Sequence, residues 1–122
     1  MDNFEKFMHP PVSAEKEIKV SERLGKVKIK GMSTEKIQEI ISLSEKLGES
    51  EMQLQNRLIA ECITYPNLRD TKLCDYYKVY EPQELISKIF DDVSEYMILS
   101  NAVTKILGIK TPEQMREEVK NF

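Results

Sequence analysis

Residues 18–31 have the sequence IKVSERLGKVKIKG, and this stretch decides the architecture expected for the chain. Apolar and polar residues alternate on both sides of Gly25. Alternation with a period of two on either side of a glycine predicts a β-hairpin with one apolar face. Because an isolated two-stranded ribbon is marginal in water, we expect that face to rest on helices. The residues expected to point inward are Ile18, Val20, Val27 and Ile29.

Helix signals follow the hairpin closely along the chain. Gly48 and Gly108 stand where a left-handed residue can close a helix, and apolar residues at helical spacing precede each of them. Pro82 fits the first turn of a further helix, and Pro112 that of a last one. The side chains expected to cap helix N-termini are Ser33, Ser50, Asp70 and Asp92. We therefore predict a mainly α protein, in which an N-terminal β-hairpin precedes a compact bundle of five to six short helices.

The chain has 122 residues, which is the size of a single domain. His9 is followed by two prolines that lack backbone donors, so residues 1–14 are predicted to be a flexible N-terminal arm. Residues 15–122 are predicted to form one small helical domain. Its parts are a hairpin at 18–31, a helical core at 33–108 and a terminal helix at 111–122.

Composition argues against several classes of function. A net charge of -3 and a pI near 5.3 provide no strong field for phosphate backbones or anionic lipid, so neither nucleic-acid nor membrane binding is expected. No apolar run approaches the roughly 20 residues that cross a bilayer. The first residues lack the order of a secretory signal, which favours a cytoplasmic location. Cys62 and Cys74 are too far apart for a redox pair and are expected to be reduced thiols.

Residues with the spacing of a catalytic or metal site are missing from the sequence. The one histidine is His9, in the predicted arm, and the four glycines stand singly rather than in a phosphate-binding loop. Two cysteines and one histidine without ligand spacing do not suit zinc. Helix caps and solvated faces explain the acidic pairs at 91–92 and 117–118. We expect a protein that is not an enzyme and has no cofactor or metal.

Apolar groups outside the predicted core indicate binding surfaces. Tyr76, Tyr77 and Tyr80 cluster around one short helix, and tyrosines are frequent anchors of interfaces. The arm carries Phe4 and Phe7. Contact with a partner and packing on the same domain both remain open for these residues. The lysines of the second strand, which suit either an acidic partner or protection from aggregation, are Lys26, Lys28 and Lys30.

A motif at 65–70, YPNLRD, precedes the segment LCDYYKV at 73–79 and then Pro82. This order resembles the phage XkdN-like tail assembly chaperones, in which a Tyr-Pro-Asp-Leu-type loop leads into a Leu-x-Asp-x-Tyr-Gly-Val helix and a Pro-initiated helix. The segment VSERL at 20–24 is similar to the family's Val-Ser-x-Arg-Phe element. The resemblance spans about residues 18–108 and includes a later Glu-Tyr pair at 95–96. Departures from the family pattern are Lys78 for Gly, Leu24 for Phe and Ser94 for Gly.

The resemblance implies a non-virion helper that acts in the cytoplasm of a bacterial host during phage or prophage tail assembly. Such a chaperone binds the tape measure protein, a long helical ruler, and assists polymerisation of the tail tube, whose major subunit is a second expected partner. A homo-oligomer is compatible with this role. The partner-binding residues expected from the resemblance and from the exposed arm are Tyr65, Pro66, Leu68, Leu73, Tyr76, Tyr77, Phe4 and Phe7.

The alternative is a small helical DNA-binding transcriptional regulator. Predicted helices at 33–47 and 50–64 are spaced like a helix-turn-helix. Charge argues against this alternative, because the second helix sets Glu51 and Glu61 against Arg57 alone. A small enzyme is a third alternative, and it requires a polar pocket of ligand size.

Overall fold

The predicted hairpin is confirmed by a computed structural model, which describes residues 3–8 and 15–108. Strand β1 (Glu15–Ser21) pairs antiparallel with β2 (Gly25–Lys30), and Ile18 lies opposite Val27. Gly25 has a φ of 74°, which a residue without a Cβ adopts at little cost at the end of the turn. The apolar residues of β2 point into the core and its lysines point to solvent.

A third strand, β3 (Ile63–Tyr65), lies antiparallel along the other edge of β2 and gives the strand order β1-β2-β3. The helix predicted over 50–64 was therefore too long at its end. Two causes favour a strand here: Ile63 and Thr64 are β-branched, and a residue that precedes proline avoids the helical region. The free edge of β2 then supplies the hydrogen-bond partners.

Five α-helices follow within residues 15–108, so the prediction of a mainly α protein with an N-terminal hairpin is confirmed. The N-cap side chains predicted for four of them each accept a backbone N–H from the first turn. The helices are α1 (Thr34–Lys46), α2 (Glu51–Cys62), α3 (Thr71–Tyr77), α4 (Glu84–Ile89) and α5 (Val93–Leu107).

Helix α4 begins two residues later than the proline predicted to start it. Pro82 lies in a preceding turn, where its carbonyl accepts the N–H of Leu85 at 3.1 Å. The carboxylate of Glu84 accepts the backbone N–H groups of Tyr80 at 2.8 Å and of Glu81 at 3.1 Å. Those two hydrogen bonds hold the chain before the helix in a turn, which delays the helix start.

The core lies between the apolar face of the sheet and the helices α2, α4 and α5. A smaller cluster of Ile37, Ile40 and Leu58 joins α1 to α2. A short 3-10 helix, Asn3–Phe7, lies in the predicted arm, and the terminal helix predicted at 111–122 lies outside the described residues. The side chains buried most completely in the core are Ile29, Ile59, Leu85, Ile86, Leu99 and Cys62.

Candidate partner-binding site

The loop between β3 and α3 is held by its own hydrogen bonds. The side chain of Asn67 accepts the N–H of Arg69 at 3.0 Å, and its backbone carbonyl accepts the N–H of Asp70 at 3.1 Å. Asp70 then caps α3 by accepting the N–H of Lys72 at 2.8 Å. The peptide bond between Tyr65 and Pro66 is cis. The hydrogen bonds made by Asn67 and Asp70 fix the loop, so the side chains on it are held in defined positions.

Four of the predicted site residues line one shallow depression of about 480 Å³ beside this loop. Tyr65 is 60% exposed and Tyr76 is 79% exposed, so both rings are open to a partner. The depression is open to solvent and its walls are mainly apolar. We call this surface the loop–α3 face, and its residues are Thr64, Tyr65, Pro66, Asn67, Asp70, Lys72, Leu73 and Tyr76.

Two other predicted site residues lie beneath this face. Leu68 is 4% exposed and belongs to the core, so it packs under the loop and leaves little surface for a partner. The Cys74 thiol donates to the carbonyl oxygen of Leu68 at 3.4 Å. Tyr77 is partly buried against the core, and its ring meets that of Tyr76 edge to face with centroids 4.9 Å apart. Both residues support the exposed ones.

The structure does not bring the arm residues into the loop–α3 face. Phe4 and Phe7 are exposed on the short 3-10 helix, and neither lines the depression beside α3. Residues 9–14 separate that helix from β1 and lie outside the described residues. The aromatic residues of the arm and those of the loop–α3 face are therefore two separate surfaces among the described residues.

A buried carboxylate, named in the sequence analysis only within the Glu-Tyr pair at 95–96, connects the hairpin to α5. Glu95 is 4% exposed and accepts hydrogen bonds from the Arg23 guanidinium and the Ser21 hydroxyl. Arg23 also donates to Asp91 at 3.0 Å. Hydrogen bonds from Arg23 and Ser21 hold the pKa of the Glu95 carboxyl below its ordinary value, and the hydrogen bonds that Arg23 donates to Glu95 and Asp91 raise the pKa of Arg23.

Ser21, Arg23 and Glu95 occur in the two segments quoted for the family resemblance, VSERL at 20–24 and the Glu-Tyr pair at 95–96. Their contact joins positions 72 residues apart, which no local pattern shows. The surrounding depression of about 530 Å³ is polar, but its Arg23 and Glu95 are already bonded to each other. We interpret this cluster as structural.

A second polar pair orders the start of α2. The guanidinium of Arg57 donates to both carboxylate oxygens of Glu49, at 2.6 and 3.0 Å, and both side chains are largely buried. The hydrogen bond from Arg57 lowers the pKa of the Glu49 carboxyl. Arg57 was the cation on which the DNA-binding alternative depended. Its commitment to Glu49 leaves it unsuited to a phosphate or a guanine edge.

The described residues carry few groups suited to catalysis. Burial raises the pKa of the Cys62 thiol to about 12, so this group stays protonated at neutral pH. Across residues 3–8 and 15–108, no three histidine, cysteine or acidic side chains are grouped as a metal ion would require. In the same part of the chain, no helix has the length and apolar character needed to cross a membrane.

The fold is that of a small, mainly helical protein, and its loop–α3 face exposes two tyrosine rings. Comparison with family models matches residues 4–120 to the phage XkdN-like tail assembly chaperone protein family, TAC. The chain belongs to this family, and the resemblance stated from its motifs is confirmed.

Comparison with solved structures finds the crystal structure of the protein yqbn, a Northeast Structural Genomics Consortium target, at 20% sequence identity. The match has a TM-score of 0.76 and covers 90% of this chain and 98% of the other. At that identity, the similarity shows the fold. Comparison with curated proteins finds no similar sequence.

Proposed function

We propose that this chaperone binds the tape measure protein in the cytoplasm of the bacterial host and assists polymerisation of the tail tube, without catalysing a reaction. Membership of the tail assembly chaperone family supports a role in building tails. The observation that carries the proposal further is the exposure of Tyr65 and Tyr76 on one fixed surface. Large apolar groups that form one contiguous patch open to solvent mark sites of protein contact.

The chemistry of the loop–α3 face suits an amphipathic helix as its partner. Tyrosine rings bury a large area at a small cost in side-chain entropy, and their hydroxyls tolerate a wet rim. Leu73 and Pro66 add apolar surface to the same depression. The apolar stripe of a partner helix can therefore lie across the depression, with its polar side facing water.

The apolar surface of a tape measure protein needs to be covered by another protein before the tail tube surrounds it. A long amphipathic helix exposes apolar stripes that associate with one another in water. A small acidic protein that binds the stripes keeps the helices apart. Tube subunits then displace the chaperone by competing for the same apolar surface, which requires moderate affinity at each site and no nucleotide hydrolysis.

Co-expression of the chain with its tape measure protein, followed by affinity capture, tests this proposal. We expect the wild type to retain the tape measure protein in the soluble fraction and to be captured with it. The double variant Tyr65→Ala, Tyr76→Ala should lose most of that capture while it remains folded, since both side chains are exposed. Leu68 is left unchanged because it is buried in the core.

A control variant removes two other exposed apolar side chains elsewhere on the surface. Leu43 and Leu47 lie exposed near the end of α1, and the variant Leu43→Ala, Leu47→Ala should capture the tape measure protein as the wild type does. Equal losses in the two double variants would refute the assignment to the loop–α3 face. Capture of the major tube protein alone, with none of the tape measure protein, would refute the proposed partner.

A further inference from the structure

Strand β1 lies at the edge of the sheet. The strand order is β1-β2-β3, so among residues 3–8 and 15–108 only β2 pairs with β1. In an antiparallel pair, every second residue of a strand points its backbone N–H and C=O away from the partner. Those of β1 point outward, where another strand can donate and accept hydrogen bonds. With seven residues, β1 is long enough to form several such bonds.

Burial differs across the pair of β1 and β2 in a way that fits an open edge. Ile18 of β1 and Val27 of β2 lie opposite each other, and both pack on the core. Val27 is 3% exposed, whereas Ile18 is only partly buried. Glu17 and Lys19, the neighbours of Ile18, point to the opposite face of the sheet and are exposed. The edge of β1 therefore offers part of an apolar side chain between two charged ones.

One pair of side chains on the outer face of the sheet is unfavourable in the single chain. Lys19 lies directly opposite Lys26 in the register of β1 with β2. Like charges at opposite positions of an antiparallel pair are destabilising. The Lys19 ammonium also pairs with the Glu22 carboxylate, but both side chains are mostly exposed, so this ion pair contributes little. A further carboxylate beside Lys19, on the side away from β2, would offset the repulsion.

The order of charges along β1 can supply that carboxylate from a second copy of the chain. When two β1 strands pair antiparallel about Ile18, Glu17 of each copy lies opposite Lys19 of the other, and the two Ile18 side chains meet. Pairing centred on Glu17 or on Lys19 instead places that charge opposite its own copy. The register with β2 is regular from Glu15 to Lys19, so the alternation of faces holds over this stretch.

We propose that the chain forms a homodimer in which two β1 strands pair antiparallel about Ile18 and join the two three-stranded sheets into one. Charged residues at a sheet edge commonly prevent association. In β1 their order favours the one register in which opposite charges meet and disfavours the neighbouring ones. The open backbone edge and this charge complementarity together select a second copy as the occupant.

The dimer does not depend on the function proposed for the loop–α3 face. That face includes Thr64 and Tyr65 of β3, which lies at the other edge of the sheet. Pairing through β1 therefore leaves the exposed tyrosine rings of both copies available to a partner.

Sedimentation velocity of the full chain over a range of concentrations tests the proposal. We expect the wild type to dimerise as its concentration rises. Glu17→Lys and Lys19→Glu each bring like charges together in both charged pairs, so each should weaken the dimer about tenfold or more. Mixed in equal amounts, the two variants should form a heterodimer, because two lysines of one copy then meet two glutamates of the other. The double variant Glu17→Lys, Lys19→Glu should dimerise as the wild type does.

A control variant separates the proposed pairing from a general effect of net charge. Glu39 is exposed on α1, and Glu39→Lys makes the same change in charge as Glu17→Lys at a position away from β1. It should dimerise as the wild type does. A wild type that stays monomeric, equal weakening by Glu39→Lys and Glu17→Lys, or failure of the two mixed variants to associate would each overturn the proposal. Loss of the dimer in the folded variant Tyr65→Ala, Tyr76→Ala would also overturn it, because those residues lie outside β1.

Discussion

The end of the hairpin and the loop–α3 face both carry motifs of the chaperone family, but the side chains of the two motifs lie in opposite environments. At the hairpin end, Ser21 and Arg23 bond to the buried carboxylate of Glu95. At the loop–α3 face, Tyr65 and Tyr76 expose most of their surface to solvent. A motif therefore does not by itself indicate whether its residues build the fold or bind a partner. Burial and bonding within the chain make that distinction.

The largest expected effect on stability comes from a substitution in the hairpin, where the side chains build the fold. Ile29 lies on β2 with no exposed surface, so Ile29→Ala leaves a cavity in the core. We expect it to lower the free energy of unfolding by about 2–5 kcal/mol. Urea denaturation followed by circular dichroism measures this loss. A loss below about 1 kcal/mol would mean that the sheet is packed less tightly than described.

A smaller effect with a distinctive pH dependence is expected from Glu95→Gln. The pKa of Glu95 in the folded chain lies below its ordinary value of 4.5, so its carboxylate stabilises the fold above that pH. This contribution declines as the pH falls through the lowered pKa. Thermal unfolding at pH 7 and pH 3 should show a clear destabilisation by Glu95→Gln at pH 7 and a smaller one at pH 3. A difference independent of pH would contradict the bonding described for Glu95.

The C-terminal end of α3 is expected to gain stability from one substitution. Lys78 adopts the left-handed conformation, and Lys78→Gly should raise the free energy of unfolding by about 0.5–1 kcal/mol after the larger entropy of the unfolded glycine chain is counted. Lys78→Ala is the matched control, because it removes the ammonium group and keeps the Cβ. Urea denaturation should show no gain for the alanine variant. An equal gain in both variants would indicate that charge, rather than backbone conformation, limits stability here.

The smallest expected change in stability comes from a substitution on the loop–α3 face, where the side chains are exposed. Tyr76→Ala removes an exposed ring, so the free energy of unfolding should change by no more than about 0.5 kcal/mol. The same urea experiment measures it beside Ile29→Ala. A loss as large as that of the core variant would mean that Tyr76 helps to build the fold, and that its exposure is not kept for a partner.

Local signals predicted most of the fold. The hairpin follows from the alternation around Gly25, and the four N-caps follow from side chains placed one residue before helical patterns. Strand β3 could not be predicted in the same way, because three residues form a strand only where β2 offers a free edge. The pairing of Arg23 with Glu95 depends on the approach of distant segments and was missed for the same reason.

The candidate site was predictable where its residues are close in the sequence. Tyr65, Pro66, Leu73 and Tyr76 lie within 12 positions, on a loop and the helix it leads into, so their grouping follows from local structure. The extent to which each side chain is buried was not predictable. Leu68 lies between these residues in the sequence yet is buried, because the loop turns it toward the core formed by distant strands and helices.

Calorimetric titration of the purified chain with its tape measure protein tests the central claim most directly. The account predicts binding by the wild type and an affinity at least about tenfold weaker for Tyr65→Ala, Tyr76→Ala, as expected when two anchor residues of an interface are removed. The control variant Leu43→Ala, Leu47→Ala should bind as the wild type does. Undiminished binding by a folded Tyr65→Ala, Tyr76→Ala variant would contradict the account.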